Sequence, residues 1–247
     1  MSVLLAQFHR DFNQLKNPQK AKFLQRFFKT GKGEYAEGDV FWGLTVPQSR
    51  SLVKKYKALS LTDIKILLTS KIHEQRLIAL LLLVDKFNKG DEKVRPEIFK
   101  LYLAHTKYIN NWDLVDLSAG NIVGAYLTKR PRDVLYKLAR SKNLWEKRIA
   151  MIATFYFIYE LKEYEDTFTI AEILLHDTHD LIHKAVGWML REVGKRISRK
   201  VEKQFLDKHA HEMPRTMLRY AIEHFAKEEK MHYMSLKSRA GHNLSQK

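Results

Sequence analysis

A two-helix pattern that returns about every 36 residues constrains this chain more than any of its other features. Apolar residues recur at helical spacing along most of its length. Breakers hardly interrupt them, since the 247 residues hold only ten Gly and five Pro. Pro18, Pro47, Pro131 and Pro214 each stand at the start of a periodic stretch, where the missing N–H would be unpaired in any case. Asn17 is a good N-cap for the stretch that Pro18 opens. The spacing predicts helices over 2–15, 18–30, 47–58, 62–70, 73–88, 95–105, 110–128, 131–140, 143–162, 165–176, 178–196, 199–211 and 214–227. From residue 62 on they fall into pairs, a short helix followed by a longer one. The longer ones open near 73, 110, 143, 178 and 214, at intervals of 37, 33, 35 and 36 residues. Such a unit buries its apolar face only against its neighbours. The expected fold is therefore all-α, a right-handed α-solenoid of HEAT-like two-helix repeats. It forms a single curved domain over 1–227, with a polar C-terminal tail at 228–247.

Cysteine is absent, which removes disulfides, thiolate zinc sites, iron–sulfur clusters and cysteine nucleophiles. The longest apolar run, Leu77 to Val84, is far too short to span a bilayer. The N-terminus shows no basic region followed by a long apolar stretch. A cytoplasmic location with no membrane partner is expected. Lys plus Arg number 44 against 28 Asp plus Glu, a formal charge of +16 that favours a polyanion as partner. That charge is unevenly placed. Residues 128–148 carry a net +6 and 184–203 a net +5, while 160–180 between them carry a net −6. Alternating blocks of this kind suggest a basic concave groove and a more acidic outer face.

Two clusters look like chemistry and read better as structure. His176-Asp-Thr-His179-Asp180 lies between two helices, where such residues serve as caps, so no metal or other cofactor is expected. Gly31 to Gly38 is glycine-rich, but it follows a helix and lacks the Gly-Lys-Ser/Thr ending of a phosphate loop.

A third set is different. Asn111-Trp112-Asp113-Leu-Val-Asp116 opens a long helix and puts Trp112 and Asp116 one turn apart on one face. Asp113 sits in the first turn, where a carboxylate complements the helix dipole. About one repeat further on, Trp145 and Arg148 stand three apart; on the next long helix, so do Trp188 and Arg191. Stacked repeats would bring Trp112, Asp116, Arg148, Trp188 and Arg191 towards one groove. Two readings follow from the residues alone. Each Trp is core and each Arg a surface ion pair, or the set forms a basic groove with aromatic walls around one carboxylate.

At these residues the chain resembles the AlkD-like DNA alkylation repair glycosylases, which are built from HEAT-like repeats. The matching segments are Asn111 to Asp116, Asn143-Leu-Trp145-Glu-Lys-Arg148 and Lys184-Ala-Val-Gly-Trp188-Met-Leu-Arg191-Glu192. Asn17-Pro18-Gln-Lys20-Ala21 and Gly43-Leu-Thr-Val-Pro47 extend the similarity towards the N-terminus. The resemblance implies that Asp116 is the catalytic carboxylate and that Trp112 and Trp188 are aromatic walls beside the lesion. It places Arg148 and Arg191 at DNA-contacting positions and leaves Trp145 mainly to packing. Phe27 is a departure, standing where a well-studied member of the family has tyrosine. The activity implied is hydrolysis of the N-glycosidic bond of N3-alkyladenine and N7-alkylguanine in duplex DNA. It would proceed without base flipping and without a cofactor, by a monomer whose partner is duplex DNA carrying alkylated bases. The alternative is a non-catalytic HEAT-repeat module that binds structured or damaged nucleic acid through the same groove.

Overall fold

The computed structural model describes residues 2–236. Its helices are α1 (Val3–Gln14), α2 (Pro18–Phe27), α3 (Val46–Lys55), α4 (Leu61–Leu68), α5 (His73–Lys89), α6 (Val94–Ala104), α7 (Trp112–Ala119), α8 (Asp133–Ala139), α9 (Leu144–Tyr156), α10 (Glu165–Ile173), α11 (Asp180–Arg196), α12 (Arg199–His209), α13 (Arg215–Ala221) and α14 (Lys227–Ser235). The all-α class and the pairing of helices are as the sequence predicts. Caps fix several starts. Asn17 accepts from the Lys20 N–H ahead of α2, and Thr45 with Gln48 forms a capping box ahead of α3.

The chain divides into two compact units, Met1–Tyr126 and the part from Leu127 on. In the first, α5 is the central helix. It packs against α3, α4, α6 and α7, so its apolar residues are needed all round rather than on one stripe. That explains the run Leu77 to Val84, most of which is buried.

In the second unit, α9 packs against α8, α10 and α11, and α11 packs against α12 and α13. Gly187 is required where α13 crosses, because a Cβ there would sit 2.3 Å from the Met217 carbonyl oxygen. Part of the acidic block is turned towards the first basic block. Asp166 and Glu163 pair with Arg132 at 2.5 and 2.7 Å, and Asp177 pairs with Lys147 at 2.6 Å. The segment expected to begin a polar tail forms α14 instead. Tyr233 anchors it, buried and donating its hydroxyl to Asp207 at 2.6 Å. The remainder of the expected tail, 237–247, lies outside the described residues.

Candidate nucleic-acid interface and catalytic carboxylate

Helix α7 carries the two predicted residues of the first unit. Asn111 is fully buried as its N-cap, accepting from the Trp112 N–H at 2.8 Å. Trp112 is half-buried. Its ring stacks on Phe28 at 5.3 Å between centroids, and Phe28 in turn stacks on Phe41 at 5.0 Å. Phe27 meets Trp112 edge-on at 6.3 Å. Asp116 stands one turn further along and is also half-buried. Its charge acts on the buried Tyr102 hydroxyl, which burial holds above the usual phenol range, with a smaller push from Asp116 and against the hydrogen bond with Ser118. Just beyond, the helix widens into a π-turn at Gly120–Gly124, a departure often found near functional residues.

The first turn of α7 is fixed by a group the sequence reading did not single out. His73, at the start of α5, packs against the rings of both Phe28 and Phe41, at 5.2 and 4.3 Å between centroids. Its Nδ1 faces Asp39 Oδ2 at 3.2 Å and its Nε2 faces Asp113 Oδ2 at 2.8 Å. Carboxylates accept only, so both ring nitrogens donate and the ring is an imidazolium. Burial opposes that charge, but Asp113 and Asp39 outweigh it, and the His73 pKa is raised. Arg76 donates to Asp39 at 2.7 Å and Asn110 does so at 3.2 Å. Two cations and two carboxylates thus balance in a buried quartet. Asp113, expected as a helix-dipole residue, also ties α7 to α5. Nearby, Glu74 accepts from the N–H groups of Trp42, Gly43 and Leu44 at 2.8–3.3 Å. It thereby holds the Gly43–Pro47 segment against α2.

In the second unit, α9 and α11 carry the rest. Arg148 is only 4% exposed and donates to the Leu181 carbonyl, so it joins α9 to the first turn of α11. Trp145 is buried, in keeping with packing. Trp188 is half-buried, and its indole N–H donates to Glu192 at 3.1 Å. Glu192 also accepts from Arg196 at 2.5 Å. Arg191 is paired with Glu223 and lines a cavity of about 690 Å³ with Asp180, Lys184, Arg219 and Tyr220. The His176 to Asp180 segment does cap α11. His179 Nδ1 accepts from the Leu181 N–H at 3.1 Å, which requires a neutral ring. Burial keeps it so by lowering the His179 pKa.

The family model described as DNA alkylation repair enzyme matches residues 8–225. The chain belongs to that family. Its role therefore lies in DNA alkylation repair, with DNA as the partner. A solved structure described as a predicted DNA alkylation repair enzyme from Enterococcus faecalis has a similar fold. The TM-score is 0.66 at 18% identity, over 86% of this chain and 97% of that one. No curated protein matches the sequence. Within this family member, Trp112 and Asp116 lie together in the first unit, and Arg148, Trp188 and Arg191 lie in the second. Among the described residues, no helix is long and apolar enough to cross a membrane.

His73, Asp39 and Glu192 were missed for different reasons. Asp39 sits in an irregular loop where spacing says nothing. A basic residue recurs about one turn into three of the long helices, Arg76 in α5, Arg148 in α9 and Lys184 in α11, and through Arg76 it was a usable pointer to the buried quartet. Arg76 bonds to the Ser70 carbonyl as well as to Asp39, Arg148 bonds to the Leu181 carbonyl, and Lys184 pairs with Asp180. Arg76 and Arg148 thus tie their helices to a neighbouring segment, whereas the Lys184 pair lies within α11.

Proposed function

We propose that the protein is a monofunctional DNA glycosylase that removes cationic alkylpurines, N3-alkyladenine and N7-alkylguanine, from duplex DNA. One observation carries this reading. Asp116 is a half-buried carboxylate one helical turn from the half-buried indole of Trp112, on a helix whose first turn is locked by buried ion pairs. Alkylation puts positive charge on the base and makes it a good leaving group. As the C1′–N bond lengthens, the electron pair goes to the base, which leaves neutral, and positive charge builds on the deoxyribose. A carboxylate about 4 Å from that charge supplies roughly 4 kcal/mol at an effective dielectric near 20. Realised mainly in the transition state, this is worth about 10³ in rate. Asp116 then orients a water whose oxygen bonds to C1′ and takes its proton. The face of an indole suits a cationic base, by about 0.5–2 kcal/mol. A half-buried carboxylate suits a lesion approached without base flipping better than a deep pocket would.

In this reading Trp188 offers a second indole held by Glu192. Arg191 contributes positive charge to the DNA backbone, and Arg148 holds the start of α11 in place. The protein acts as a monomer, without a cofactor, in the cytoplasm. The test is release of methylated bases from alkylated duplex DNA. Wild type releases them, and Asp116→Asn lowers the rate by about 10³ while leaving duplex affinity within about twofold. Wild type that binds duplex with salt-sensitive affinity and releases nothing would establish the non-catalytic binding module instead.

A further inference from the structure

Helix α2 buries only one stripe. Ala21 and Phe28 belong to the small aromatic core beneath Trp112, with Leu24 packed against it. The opposite face is open. Phe23 is 65% and Phe27 55% exposed. The two rings stand one turn apart, nearly parallel at 16°, with centroids 6.3 Å apart. Scattered exposed apolar residues are ordinary, but a stacked aromatic pair facing water is not. Lys20, Lys22 and Arg26 flank the rings, all exposed and without an ion-pair partner among the described residues. The helix contains no acidic residue. The pair also continues the candidate site, because Phe27 meets Trp112 edge-on.

We propose that this outer face of α2 is a stacking ledge for an unpaired nucleobase of the bound DNA, with Phe23 as its leading ring. The inference rests on the reading that the Trp112 and Asp116 region engages DNA. Bases inside a duplex keep their faces covered by their neighbours, so an exposed ring pair has nothing to stack on there. The base opposite the lesion, left unpaired once the lesion is released, presents a bare π-face when it leaves the stack, and aromatic side chains beside a cationic track are the usual way to hold one. The three free cations supply that track. A lipid surface fits less well. The helix has ten residues, and its exposed apolar face is these two rings beside the candidate site.

The experiment uses the full chain and two labelled duplexes. One is fully paired, and the other carries a single bulged 2-aminopurine. Wild type binds the bulged duplex at least about fivefold more tightly and quenches the 2-aminopurine fluorescence. Phe23→Ala loses both the preference and the quenching, yet binds the paired duplex as wild type does. Thermal melting confirms that it is folded. Replacing Lys20, Lys22 and Arg26 together by Gln weakens binding to both duplexes and flattens its salt dependence. Equal wild-type affinity for the two duplexes overturns the ledge, as does a preference that survives in Phe23→Ala. So does loss in Phe23→Ala of binding to anionic vesicles with the DNA preference intact. The glycosylase reading is judged separately, by base release from wild type.

Discussion

Replacing His73 tests whether the buried quartet organises the first unit. His73→Gln removes an imidazolium whose side chain is 2% exposed between Asp39 and Asp113, which are 5% and 19% exposed. A glutamine amide reaches one of those carboxylates and abandons the other. Breaking a buried ion pair by removing one partner costs about 3–5 kcal/mol. Asp39 keeps Arg76 and Asn110, and Asp113 can recover some hydration, so the lower end applies, about 3 kcal/mol. In thermal unfolding followed by tryptophan fluorescence this is a fall in Tm of about 6–12 °C for a chain of this size. The pH dependence adds a signature that packing alone does not give. Unfolded histidine releases its proton near pH 6.5, whereas folded His73 keeps it to higher pH. The folded state therefore binds the extra proton in between. This stabilisation is complete below about 6.5 and is lost as pH rises through the folded pKa. Glu202 slopes the same way, so both proteins are best compared in a Glu202→Gln background. A loss below about 1 kcal/mol, or an alkaline slope unchanged by His73→Gln, would refute the reasoning.

Two further outcomes follow from single positions. Both carboxylate oxygens of Glu202 are buried without a hydrogen bond, and burial pushes its pKa up to about 8. The folded state therefore holds a proton that the unfolded chain loses near 4.5. Its contribution is complete below that pH and falls away up to about 8, so Glu202→Gln raises stability at pH 8 by about 2 kcal/mol, read by urea titration. Gly43 has φ +87°, and a Cβ there would lie 2.2 Å from the Asn17 carbonyl oxygen. Gly43→Ala destabilises by about 3 kcal/mol or more in the same assay, and it shifts α2 relative to Trp112.

The fold was legible because its signals are local and repeated. Few breakers, prolines at helix starts and a two-helix period are enough to name the class and place most helices. The extension of helix past residue 227 was not legible, because one aromatic, Tyr233, anchors an otherwise polar segment. Within the site, spacing alone placed Trp112 and Asp116 on one face, and the half-exposure of both agrees with that placement. Arg148 shows the limit of such reasoning. Spacing puts a guanidinium near the others and cannot say that its nitrogens turn inward to a backbone carbonyl. The quartet around His73 joins three separated segments, and no periodicity links them.

The pairing of Arg132 with Asp166 and of Lys147 with Asp177, together with the inward turn of Arg148, bears on how strongly this protein can hold a polyanion. Among the eight cations in 128–148, Arg132 and Lys147 are held by carboxylates and Arg140 and Arg148 by backbone carbonyls. They displace few condensed counter-ions when a nucleic acid arrives. The effective valence of that stretch is thus smaller than its composition suggests, and much of its positive charge serves as mortar between helices.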